Sequence, residues 1–111
     1  MKRDDSAYLK HISDAICAIE EYTRAVGYED FMDNPLIQDG VIRQIEIVGE
    51  ATKRLSKEIR TKHAEIPWKD IAGMRDKLIH DYFGVDLAAV WDTVKKDMPA
   101  LKNGLRDIIE K

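Results

Sequence analysis

Cysteine is nearly absent. Cys17 is the only one in 111 residues, so no disulfide can form within the chain. That suits a reducing compartment. No apolar run approaches the roughly 20 residues of a membrane-spanning helix. The opening "MKRDDSAYLKH" lacks the apolar centre of a signal peptide. Together these point to a cytoplasmic protein with no membrane partner. An excess of positive charge is missing too: 18 Lys and Arg stand against 21 Asp and Glu, for a net charge of -3. The bulk positive field of a sequence-reading DNA-binding protein is therefore excluded, and any nucleic-acid chemistry must rest on a local site. Aromatics make up only 7% of the chain, whereas 44% is hydrophobic and 35% charged, a balance that fits a helical protein in water. The length predicts one domain over residues 1–111.

What is present is helical periodicity. Tyr8, Ile12, Ala15, Ile19, Tyr22 and Val26 recur at steps of three and four, predicting a helix from about Asp5 to Val26 that Gly27 ends. "YEDFMD" has room for a short helical turn. Asn34 and Pro35 supply an N-cap and a proline at the first helical position. Val41, Ile45, Val48, Thr52, Leu55 and Ile59 then predict a second long helix reaching Thr61 to His63. Pro67 opens a third segment that Gly84 closes. Asp86 caps a last one, in which Leu87, Trp91, Val94, Met98, Leu101, Leu105 and Ile108 keep phase across Pro99. That continuity predicts one helix kinked near Pro99. No strand pattern or repeat appears. The expected fold is all-α: an up-and-down bundle of four main helices plus a short helical turn. Gly49 lies mid-helix, where glycine costs about 1 kcal/mol relative to alanine. It predicts close approach of another backbone, from the same bundle or from a second subunit.

The stretch "GMRDKLIHDYF", residues 73–83, departs from this pattern. On a wheel at about 100° per residue centred on Arg75, Trp68, Ile71, Ala72, Leu78, Ile79 and Phe83 fall within roughly 80°. Tyr82, seven residues on, falls almost on top of Arg75. A guanidinium thus sits in the middle of an apolar arc, where burial without partners is costly. Three fates are open: an intrachain carboxylate, snorkelling to water along Tyr82, or a cleft between subunits that keeps it free for an anionic ligand. Asp76 and His80 share the flank of the arc at roughly 100° and 140°. Asp76 is placed either to orient His80 or to be a solvated charge. His80 reads equally as a capping residue or as an acid–base group.

Arg75-Asp76-Lys77-Leu78-Ile79-His80, followed by Asp81 and Tyr82, resembles the Arg-x4-His signature of the HEPN ribonucleases. The Arg-x4-His-x-Tyr form resembles their HepT branch, the toxin of a type VII toxin–antitoxin pair whose antitoxin is a minimal nucleotidyltransferase, MntA. "YLKHI", "VIRQIEIVGEATKRLS", "IPWKDIAGMRDKLIHDYFGVDLAAVW" and "MPAL" resemble that family in the same order, so the likeness covers nearly the whole chain. The resemblance implies a HEPN-like bundle that forms a homodimer and cuts RNA in a composite cleft, with no metal and no cofactor. It implies catalytic roles for Arg75 and His80, a supporting polar role for Asp76, and Tyr82 as the acceptor of AMP from the nucleotidyltransferase. Asp76 stands where many relatives carry asparagine, which adds a negative charge near a phosphate.

The residues suit that chemistry. Attack by the RNA 2'-hydroxyl needs a base, and a neutral imidazole has a suitable pKa. A guanidinium can bind two oxygens of the phosphodiester as it gains charge. One helix does not readily aim Arg75 and His80 at one phosphate, because about 140° separates them. Two copies around a two-fold axis can. A rival reading keeps the fold and makes the chain a non-catalytic substrate-binding or regulatory subunit of a nucleotidyltransferase. Another places a metal between Glu46, Glu50, Asp76 and His80, although Arg43 and Arg54 offer those glutamates ion pairs and no Glu-x-x-His pair is present. His11 and His63 read as surface residues. Trp68 and Trp91 read as core.

Overall fold

The computed structural model describes residues 3–81 and 84–109, and those residues form an all-α bundle. Helix α1 spans Arg3–Tyr22, α2 Tyr28–Met32, α3 Pro35–Arg54, α4 Lys57–Lys62, α5 Trp68–His80, α6 Leu87–Asp92 and α7 Met98–Ile109. A single π turn, Thr93–Asp97, joins α6 to α7. Helix α3 lies in the middle, with α1 on one side and α5 on the other, and the 87–109 segment packs onto α1, α2 and α5. No strand occurs among the described residues.

Helix α1 stops before Val26. Thr23 turns its hydroxyl back onto the Ile19 carbonyl at 2.8 Å, and Ala25 takes a left-handed conformation with φ 59°. Such a backbone is unfavourable for any residue with a Cβ, and it ends the helix. Gly27 instead stands before α2, in extended backbone. Val26 still packs on the core, so the apolar period outlasts the helix that produces it. The short α2 is an anchor. Its Phe31 is fully buried, with its ring 5.0 Å from that of Trp91.

Helix α3 begins as its sequence predicts. The Asn34 side chain accepts from the Ile37 amide at 3.1 Å and Pro35 occupies the first turn. Its end corrects the expectation of one helix to Thr61–His63: the chain breaks at Leu55 and restarts as α4. Ser56 causes the break by capping α4 through the Ile59 amide. Asp5 of α1, only 2% exposed, fastens it by accepting from the Ser56 amide at 2.8 Å and the Ser56 hydroxyl at 2.7 Å. Leu55 and Ile59 stay buried on both sides of the break, which is why the periodicity runs through it. Trp68 and Trp91 are core residues as expected, and Trp68 donates its indole N–H to the His63 carbonyl at 3.0 Å. His63, expected at the surface, is buried as the C-cap of α4.

The irregularity expected near Pro99 takes the form of the π turn just before it. The Met98 amide reaches back to the Thr93 carbonyl, five residues away. Proline has no N–H and its ring crowds the preceding turn, so widening that turn keeps the helix axis continuous. Asp97, at the end of this turn, has its pKa pushed up by burial and then by the nearby Asp70 and Asp92 carboxylates, with Lys96 opposing.

Gly49 marks a close crossing of α3 and α5. A Cβ there would overlap the Cβ and Cγ of Arg75 and lie 3.4 Å from the Ile71 carbonyl. The neighbour left open by the sequence is therefore α5 of the same chain. Substituting Gly49→Ala gains about 1 kcal/mol of helix propensity. It also forces a side-chain stem and the backbone carrying it apart, and overpacking of that kind costs more, typically 1–3 kcal/mol. The expected net result is a lower midpoint in chemical denaturation, and an equal or higher midpoint would contradict the crossing.

Asp97 yields a pH-dependent expectation. Its raised pKa means that the folded chain holds this proton more tightly than the unfolded chain. Its favourable contribution is present at low pH and is lost as pH rises through the folded pKa. Asp97→Asn should therefore raise the Tm at pH 7, and the gain should vanish below the ordinary aspartate value of about 3.9. A gain that is constant with pH would refute this.

Candidate functional site

An open cleft of about 500 Å³ runs over α3 between α1 and α5. Tyr8 and His11 form the α1 wall, and Arg75 and Ile79 form the α5 wall. The floor is a stripe of α3 at helical spacing, with Glu46, Ile47 and Glu50 between Arg43 and Arg54. The apolar arc of α5 divides at this edge. Trp68, Ile71 and Leu78 turn into the core, whereas Ile79 is 43% exposed beside the cleft.

Arg75 takes the first of its three expected fates, pairing with carboxylates of its own chain. Its side chain is 26% exposed and lines the cleft. One end of the guanidinium lies 3.0 Å from Glu50 Oε2 and the other donates to Asp76 Oδ1 at 3.2 Å. The network extends in both directions. Lys53 Nζ donates to the same Asp76 oxygen at 2.7 Å, and Arg54 Nε donates to Glu50 Oε1 at 3.0 Å. Three cations thus share two carboxylates. The hydrogen bond from Lys53, and secondarily that from Arg75, hold the Asp76 pKa below the ordinary aspartate range against an opposing desolvation. The Glu50 carboxylate, and after it Tyr8, raise the Arg54 pKa.

Asp76 is not an orienting partner for His80. Its carboxylate pairs instead with Lys53 of α3 and with Arg75. His80 occupies the last turn of α5, is exposed, and is not among the residues lining the cleft. The structure therefore brings Arg75 and Asp76 together and leaves His80 apart from them. Tyr82 lies outside the described residues. The four residues of the metal reading separate likewise: Glu46 pairs with Arg43 at 3.9 Å, Glu50 with Arg54 and Arg75, and Asp76 with Lys53 and Arg75. Among the described residues no three His, Cys, Asp or Glu side chains gather as metal ligands do. No helix among them is long and apolar enough to cross a membrane.

Sequence reasoning paired Glu50 with Arg54 but missed the link to Arg75, and it missed Lys53 altogether. These contacts run between α3 and α5, and the only signal for that crossing was Gly49. His11 was placed at the surface, where it lies, but its position on the cleft went unforeseen.

Residues 12–108 match the family described as "Ribonuclease HepT-like". A protein of Thermococcus cleftensis named "Probable ribonuclease HepT" is 51% identical over 102 residues, covering 92% of this chain and 93% of that one. A protein of Caldanaerobacter subterraneus named "Putative RNase" is 44% identical over 104 residues, with 94% and 93% covered. A longer protein of Methanocaldococcus jannaschii, named "Gamma-glutamylcyclotransferase and putative RNase", is 51% identical over 110 residues, and the chain spans 50% of its length. No solved structure matches the chain significantly. With a match over most of its length and relatives this close, the chain belongs to the HepT-like ribonuclease family.

Proposed function

We propose that this HepT-like ribonuclease is the toxin of a type VII toxin–antitoxin pair. In this reading it cuts RNA without a metal, in a groove shared by two copies of the chain. The observation that carries the composite groove is the separation of Arg75 from His80. Arg75 lines the cleft, while His80 sits outside it on the last turn of the same helix. A second copy related by a two-fold axis would bring its own α5 against the exposed Ile79. His80 of one copy then works beside Arg75 of the other.

Each residue has a defined task in that groove. A neutral His80 takes the proton of the 2'-hydroxyl as that oxygen attacks the adjacent phosphorus. The bond to the 5'-oxygen breaks, leaving a cyclic phosphate on one product and a hydroxyl on the other. Arg75 binds the non-bridging oxygens as their charge grows, so it stabilises the five-coordinate state more than the ground state. The charge that Asp76 adds relative to asparagine is offset by Lys53, 2.7 Å away. Within the cleft itself a phosphodiester meets Arg43, Arg54 and Arg75 against Glu46 and Glu50.

The non-catalytic reading has one observation in its favour: both ends of the Arg75 guanidinium are already paired with carboxylates. Mutation separates the two readings. Arg75→Ala leaves Glu50 with Arg54 and Asp76 with Lys53, so no carboxylate is orphaned and the fold should persist. In a chelator-containing buffer, Arg75→Ala and His80→Ala should each cut RNA at least 100-fold more slowly than the parent chain. Light scattering should still report a dimer. An active double variant would remove the catalytic roles from Arg75 and His80, and a parent chain that cuts no RNA would favour the non-catalytic reading.

The toxin reading extends to Tyr82 as the acceptor of AMP from an MntA-like nucleotidyltransferase, an assignment that rests on the Arg-x4-His-x-Tyr resemblance. Co-expression with that partner should add the mass of one adenylate to the peptide carrying Tyr82 and should suppress cutting. Tyr82→Phe should stay unmodified and active. Modification at a different residue would remove Tyr82 from this role.

A further inference from the structure

We propose that the α1–α3 side of the cleft is a subsite for the RNA strand, in which Tyr8 stacks on a base and Arg43 and Arg54 hold phosphates flanking the one at Arg75. The inference rests on the ribonuclease reading and deepens it. Neither Tyr8, Arg43 nor Arg54 belongs to the Arg-x4-His motif.

Charge is the first support. The chain carries -3 overall, yet the cleft is lined by three arginines and two glutamates, a local balance of 3 - 2 = +1 with His11 neutral. A negatively charged chain that must hold a polyanion needs such a local reversal. Both flanking arginines reach solvent, although Arg54 also bonds Glu50. The Arg43 side chain is 71% exposed and only loosely paired, 3.9 Å from Glu46, while that of Arg54 is 60% exposed.

Spacing is the second. Arg43 and Arg54 are eleven residues apart on one face of α3, about 16 Å along the helix axis. Arg75 projects over the same helix between them, at Glu50. A row of cations of that length matches an extended backbone of several nucleotides and exceeds what a single mononucleotide requires. The third support is Tyr8. It stands opposite Arg75 across the cleft, half-buried, with its ring 6.3 Å from that of His11 and tilted by 55°. An aromatic ring beside a line of cations is the arrangement by which proteins hold single strands with little sequence preference.

The test is fluorescence anisotropy of the intact protein with a labelled RNA oligonucleotide that carries 2'-O-methyl groups throughout and so cannot be cut. Tyr8→Leu keeps an apolar side chain on the core and removes the ring; it should weaken binding about tenfold, whereas Tyr8→Phe should retain it. Arg43→Gln, at an exposed position, should lower the slope of log Kd against log salt by about 0.7, as expected for one lost phosphate contact on a single strand. Lys102→Gln, which removes the partner of Glu20 on α7, should change neither quantity. If Tyr8→Leu and Arg43→Gln bind like the parent chain while Arg75→Ala loses cutting, the subsite is overturned and the ribonuclease reading stands. If the parent chain neither binds this RNA nor cuts its unmethylated form, both are overturned.

Discussion

The crossing of α3 and α5 at Gly49 is the constraint on which the site depends. Without a side chain at Gly49, the stem of Arg75 lies directly on α3. The guanidinium therefore emerges beside Glu50, the next residue of that helix. From this contact the network Lys53–Asp76–Arg75–Glu50–Arg54 assembles with alternating charge. Exposed ion pairs of this kind contribute about 0–1 kcal/mol each, so the network adds little to folding. Its consequence is orientation. A long, flexible side chain is held in one direction before any substrate arrives, and one positive charge is left uncompensated. Preorganised charge of that kind is what stabilises a developing phosphorane.

In the proposed site, the same network offsets the aspartate that follows the motif arginine. Taken alone, Asp76 repels a phosphate. In the fold, Lys53 reaches across from α3 and shares the carboxylate with Arg75, so the added negative charge is matched by an added positive one. The depressed pKa of Asp76 follows from that pairing and keeps the residue ionised to lower pH than an ordinary aspartate. Lys53 and Asp76 form one ion pair divided between two helices.

Features governed by local rules were readable from the sequence: the Asn34–Pro35 start of α3, the Asp86 cap of α6, the buried tryptophans and the four main helical segments. Features that depend on distant partners were not. Ser56 breaks α3 from α4 with help from Asp5, fifty-one residues earlier, and the unbroken apolar period of Leu55 and Ile59 conceals it. Ala25 takes a conformation usual for glycine, while the real glycine two residues later caps a different helix. At the site, the wheel placed Arg75 on the core side of α5 and His80 well around the helix. What it lacked was the crossing partner, and with it Glu50, Lys53 and the cleft walls contributed by α1.

The proposed site depends on Arg75 and His80 acting from different copies of the chain, because one α5 points them to different places. Subunit complementation measures this most directly. Arg75→Ala and His80→Ala chains, each inactive alone, are mixed, allowed to exchange subunits and assayed for RNA cutting in chelator. If the pair works across the interface, the mixed dimer holds one intact Arg75–His80 combination, and activity should return to a sizeable fraction of the parent level. If both residues act within a single chain, no mixed dimer contains a complete site, and activity would stay at the level of the separate variants.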